Sequence, residues 1–169
     1  MRSYLFIAVL AVFVLSLAPL LVSAQPPPVS ASCRITCTVA DIVEWSDADF
    51  PPIELADLTS ETSQVSGSAP LTLYTNGDVT ITADNSDTAQ LSKDALHKLL
   101  TEYRLEYDAG TVAWSDYGSF LSKGSTVKHI PGDGAVEVIL SVRASYDSKA
   151  PPAQGDYTAT QTLTACWKS

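Results

Sequence analysis

From Tyr157 to Trp167 the chain alternates without a break. One parity reads Tyr157, Ala159, Gln161, Leu163, Ala165 and Trp167, and the other reads Thr158, Thr160, Thr162, Thr164 and Cys166. A period of two with an apolar face and a hydroxyl face is the pattern of a half-buried β-strand. A strand of this length two residues from the C-terminus closes a sheet, so the pattern predicts an all-β fold.

The rest of the chain agrees with that expectation. Cys33 to Trp45 carries Cys33, Ile35, Cys37, Val39, Asp41, Val43 and Trp45 on one parity, which reads as a first strand. Ile53 to Leu58 reads as a short edge strand after Pro51-Pro52, and Leu71–Thr75 and Asp78–Thr82 flank Asn76-Gly77. Asn-Gly tolerates positive φ at both central positions, so this stretch predicts a type I′ hairpin. Leu99 to Asp108, Thr126 to Ile130 and Ala135 to Tyr146 also alternate, with a short strand expected at Ser119–Leu121 inside the loop-rich stretch Thr111 to Gly124. About seven or eight mostly antiparallel strands with frequent turn signals and almost no helix predict an immunoglobulin-like β-sandwich.

The ends set the expected compartment. Arg2, the apolar run Tyr4–Leu17, Pro19 and the small residues Val22-Ser23-Ala24 read as a signal peptide spanning 1–24. Residues 25–32, with Pro26-Pro27-Pro28, read as an extended spacer. Residues 33–169 then form one sandwich domain. The expected location is secreted: periplasm, cell surface or extracellular space. With 19 acidic against ten basic residues the chain is disfavoured as a nucleic-acid or anionic-membrane binder. No second apolar run of spanning length follows, so the processed chain is not expected to be membrane-embedded.

Three cysteines leave at least one thiol free or paired between molecules. Cys33 and Cys37 in one strand would sit roughly 13 Å apart, beyond the ~4.4–6.8 Å between Cα atoms that a disulfide spans. The open alternatives are a bridge from either one to Cys166 and a bond between subunits. Cys166 lies on the Thr parity of its strand, which opposes the first of these.

Catalytic signals are absent. His97 and His129 are the only histidines and have no Cys or His at metal-ligand spacing; they read as surface residues. No nucleophile elbow, Ser-x-x-Lys set or phosphate loop is present, so no enzyme activity and no cofactor are expected. Asp84 and Asp87 flank Asn85 and are calcium candidates, with solvated turns as the simpler reading. Trp45 and Trp167 fall on apolar parities and belong in the core. Trp114 and Tyr117 lie in an expected loop and are candidate ligand-binding aromatics for carbohydrate or protein.

Cys37-Thr38-Val39-Ala40 with Trp45, together with the closing Gly155-Asp156-Tyr157, Leu163 and Trp167, resembles the ends of spore coat protein U-type domains. These are secreted bacterial sandwiches related to archaic chaperone–usher pilus subunits. The resemblance covers about a third of the processed chain. Such domains commonly carry a further Cys in an early strand, and Leu71 to Thr82 has none. The resemblance implies a fibre or coat subunit that partners with itself or with homologous subunits by donating a strand, with Arg34 to Val43 as the donor. The alternatives are that this segment pairs within its own domain, and that the protein is a soluble periplasmic or extracellular binding module.

Overall fold

A computed structural model describes residues 29–108 and 110–168. The expected signal peptide, 1–24, and residues 25–28 of the spacer lie outside the described residues. The chain divides after Thr38 into two units. In the first, residues 29–38 form no strand or helix and are exposed throughout. The second is the sandwich.

Eight strands make up the sandwich, all paired antiparallel: β1 (Val43–Trp45), β2 (Gln64–Thr75), β3 (Val79–Ala83), β4 (Leu100–Tyr107), β5 (Gly110–Asp116), β6 (Ser125–Val127), β7 (Ala135–Ser145) and β8 (Leu163–Trp167). One sheet has the order β1-β2-β7-β4-β5, the other β6-β3-β8. The all-β sandwich expected from the alternation is therefore the fold. Among the described residues the sole helical element is one 3₁₀ turn at Asp87–Ala89, and no helix is long and apolar enough to cross a membrane.

The core follows from the alternation. Leu71 and Leu73 of β2, Tyr103 and Leu105 of β4, and Val136, Val138, Leu140 and Val142 of β7 line the inner face of the larger sheet. Val79 and Ile81 of β3 and Val127 of β6 face them from the smaller one. Phe120 enters from the turns after β5 and is fully buried, its ring 5.5 Å from that of Tyr103. Asn85 holds this plug by donating from Nδ2 to the carbonyls of Tyr117 and Phe120 at 2.6 and 2.8 Å. Residues 119–121 are thus a turn, with Phe120 and Leu121 buried and Leu121 at φ 50°, rather than the expected strand.

Three further expectations are corrected. First, Asn76-Gly77 does not close a hairpin: β2 and β3 belong to different sheets, and neither central residue has positive φ. Asn76 instead clasps the chain entering β1, donating from Nδ2 to the Ala40 carbonyl at 2.9 Å and accepting from the Ile42 amide at 2.8 Å. Gly77 lies against the Trp167 indole, where no Cβ fits. Second, the first strand is only Val43–Trp45, paired with β2 through Val43↔Thr75 and Trp45↔Leu73. Third, the closing strand is paired as a ladder only over Leu163–Trp167, with β3 as its neighbour. Its alternation nonetheless persists, since every odd residue from Tyr157 to Trp167 is half-buried and every even one exposed.

Candidate functional site

The smaller sheet has three strands against five, so part of the larger sheet's inner face has no ladder opposite it. Two extended segments lie there instead. Ile53 and Leu55 pack over β2 at Gly67, where a Cβ would come 2.7 Å from Ile53 Cγ2. Gly67 is needed for that close approach rather than for an unusual φ. On the other side, Tyr157 to Thr162 continue β8 backwards along the 84–92 segment. Between them opens a groove of about 1320 Å³, with Leu71, Tyr103, Leu140 and Val142 on its apolar floor.

Backbone hydrogen bonding gives the groove its character. Thr158 exchanges both bonds with Ser92 (3.0 and 3.1 Å), the Thr160 amide donates to the Thr88 carbonyl (2.8 Å), and the Thr162 carbonyl accepts from Asp84 (2.9 Å). In extended chain, successive residues turn their N–H and C=O to opposite sides. The even residues are therefore satisfied on the 84–92 side, while Tyr157, Ala159 and Gln161 have no backbone partner among the described residues. Pro51 to Leu58, on the facing wall, likewise makes no backbone–backbone hydrogen bond among them. Ile53–Leu58, expected as an edge strand, is an extended wall without a ladder. Two edges without backbone partners among the described residues thus border one groove with an apolar floor.

Side-chain chemistry in the groove is sparse. Tyr103 donates its hydroxyl to the Ala89 carbonyl at 2.7 Å, and burial pushes its pKa up to about 12. Gln161 donates from Nε2 to the carbonyls of Asp84 and Thr162, and its Oε1 is buried without a partner among the described residues.

The residues singled out from the sequence do not converge. Asp84 accepts from the Ser86 amide and from the Ser86 and Thr88 hydroxyls, which hold its pKa below the usual carboxylate value. Asp87 is bonded to Lys98 Nζ at 2.9 Å, which lowers its pKa in the same sense. The two carboxylates are thus engaged in separate local contacts, and no group of three or more His, Cys, Asp or Glu placed to hold a metal occurs among the described residues. His97 Nδ1 bonds Asp94 at 2.7 Å in an exposed turn.

Trp114 and Tyr117 also part company. Trp114 is in β5, not in a loop, at the irregularity in the β4–β5 register between Tyr103 and Leu105. There it lies under the guanidinium groups of Arg104 and Arg143, 5.1 and 4.7 Å from its ring centre. Those arginines are tied to Glu106 and Glu102, with Arg143 Nη2 2.6 Å from Glu102 Oε2. Tyr117 packs against the core. The expected exposed aromatic pair is therefore not formed, because one ring is claimed by arginines and the other by the core.

The three cysteines are free and exposed, and no disulfide is present among the described residues. Cys166 stands opposite Thr80 of β3 on the outward parity of β8, and Cys33 and Cys37 lie where no strand forms. In comparisons with known proteins, no family model matches the chain and no curated protein matches it.

The groove itself escaped sequence reasoning, because it depends on which segments the fold brings to the two sides of the larger sheet. A signal was present: Pro-Pro pairs at Pro51-Pro52 and Pro151-Pro152 mark the start of each extended segment, and proline confines strands to sheet edges.

Proposed function

We propose that this protein is an exported, non-catalytic structural subunit of a surface fibre or coat, assembled when one copy lays an extended segment into the groove of another. The observation that carries this reading is the pair of unpaired backbone edges, Pro51–Leu58 and Tyr157–Gln161, bordering a groove with an apolar floor. At about 1320 Å³ the groove exceeds the roughly 300–1,000 Å³ of small-molecule sites, which favours a stretch of chain as its occupant.

The donor in this reading is the N-terminal arm. Val29, Ile35 and Val39 are 98%, 89% and 72% exposed, and Ile35, Cys37 and Val39 share one parity, as a strand filling an apolar groove requires. Its C-terminal limit is shorter than Arg34–Val43, because Ala40 and Ile42 are held by Asn76 and Val43 pairs with β2. Residues 29–39 are the portion left to donate.

Size-exclusion chromatography with light scattering on the chain from Gln25, compared with a variant lacking 29–38, tests the reading. The variant keeps β1 and the Asn76 clasp, and circular dichroism checks its sheet content. We expect concentration-dependent oligomers from the longer chain and a monomer from the variant. A synthetic 29–39 peptide is expected to raise the variant's melting temperature by filling its groove. A strictly monomeric longer chain, or a variant that oligomerises equally well, overturns the reading.

A further inference from the structure

Cys33 and Cys37 lie four residues apart on the arm, both exposed, and the arm has no regular structure. Among the described residues each thiol's one hydrogen-bond contact is the carbonyl of the next residue, Arg34 at 3.7 Å and Thr38 at 3.9 Å. A chain in this state is open to two exclusive fates. Extended as a strand, it separates the two Cα atoms by roughly 13 Å at ~3.3 Å per residue. Joined by a disulfide, the same atoms must come within ~4.4–6.8 Å, which forces residues 33–37 into a tight ring.

We propose that Cys33 and Cys37 form a redox latch on the donor arm: bridged to each other they prevent strand addition, and as thiols they permit it. The inference rests on the strand-addition reading and adds its regulation. It also reverses the expectation from a continuous first strand, in which the two cysteines could not meet. That expectation assumed Cys33–Trp45 to be one strand, and the ladder begins only at Val43.

The chemistry balances through thiol–disulfide exchange with a disulfide oxidant, whether a small molecule or an oxidoreductase. The thiolate of one cysteine attacks the oxidant's disulfide, forming a mixed disulfide and releasing one oxidant thiol. The second cysteine's thiolate then displaces the other, so the arm loses two protons and two electrons and the oxidant ends as a dithiol. A dithiol reductant reverses both steps. Insertion has its own effect, because Cys37 shares a parity with Ile35 and Val39 and becomes shielded in the groove.

The test uses the chain from Gln25 carrying Cys166→Ser, which removes the exposed thiol on β8 from the count. Samples equilibrated with oxidised or reduced glutathione are alkylated, mapped by mass spectrometry and passed through light scattering. We expect the oxidised sample to lose the mass of two hydrogens, to yield a bridged 33–37 peptide and to lose its oligomers, and the reduced sample to assemble with Cys37 protected from alkylation. Adding Cys33→Ser or Cys37→Ser should make assembly indifferent to glutathione. Assembly of a chain with a mapped Cys33–Cys37 bridge overturns the latch and leaves strand addition standing, as does failure of the bridge to form under oxidant. A reduced chain that stays monomeric overturns strand addition, and the latch with it.

Discussion

Gly77→Ala distinguishes a glycine needed for space from one needed for backbone freedom. Gly77 has no positive φ, and at such positions Gly→Ala commonly stabilises by about 0.4–1 kcal/mol, because alanine narrows the unfolded ensemble. Here the sign should reverse. A Cβ on Gly77 would overlap Cη2 and Cζ2 of Trp167 and come within 3.0 Å of Cζ3. The rigid indole has to shift bodily, and Trp167 is paired to Val79 in the β3–β8 register, so the strain spreads into that ladder. Overpacking of this kind costs about 1–3 kcal/mol. Urea unfolding of wild type, Gly77→Ala, Trp167→Leu and the double variant gives the coupling directly. The expected result is a lowered midpoint for Gly77→Ala alone and a neutral or stabilising effect of the same change in the Trp167→Leu background. Gly77→Ala at or above wild-type stability with Trp167 intact would refute the packing argument.

Phe120→Ala empties a fully buried ring site beside Tyr103 and should cost about 3–5 kcal/mol by urea unfolding, with the fold retained by circular dichroism. Asp94 accepts from the His97 ring and from the amides of Leu96 and His97, which bring its pKa down to about 2. A lowered folded pKa means that its contribution to stability is present above the ordinary value of 3.8 and is lost as pH falls through about 2. A carboxyl NMR titration should show this midpoint and should show it move up in His97→Ala. Asn76→Ala removes two hydrogen bonds to Ala40 and Ile42, at about 0.5–1.5 kcal/mol each as an upper range for exposed groups, and should speed proteolysis between Ala40 and Val43.

The strands that the sequence made legible are those whose inner-face side chains are buried. Leu99–Asp108 and Ala135–Tyr146 became β4 and β7 almost to the residue, because burial of Tyr103, Leu105, Val138 and Leu140 enforces the period of two. Pairing partners were not legible, since alternation records which face is apolar and not which strand lies alongside. Asn76-Gly77 has the composition of a hairpin, yet its asparagine serves β1 and its glycine serves Trp167, both remote in sequence. Trp114 looked like a loop residue because Thr111 to Gly124 is rich in turn formers, and the cross-strand arginines that cover it are visible only once β4, β5 and β7 are adjacent.

Three stretches carry strand patterning without a ladder: residues 33–39, Ile53–Leu58 and Tyr157–Thr162. Exposed sheet edges are ordinarily protected by charge or proline, since an unprotected edge recruits foreign strands. Pro51-Pro52 and Pro151-Pro152 stand only at the outer ends of the two groove walls. From Tyr157 to Trp167 there is no charged residue and no proline, so the wall with its unpaired odd backbone groups carries no such protection. On the strand-addition reading proposed above, this unguarded edge above an apolar floor is where a donated strand pairs. The selective pressure this predicts is local: a lysine introduced at Ala159, which is half-buried, should weaken assembly without unfolding the sandwich, whereas a lysine at exposed Thr160, whose amide already bonds Thr88, should leave assembly unchanged.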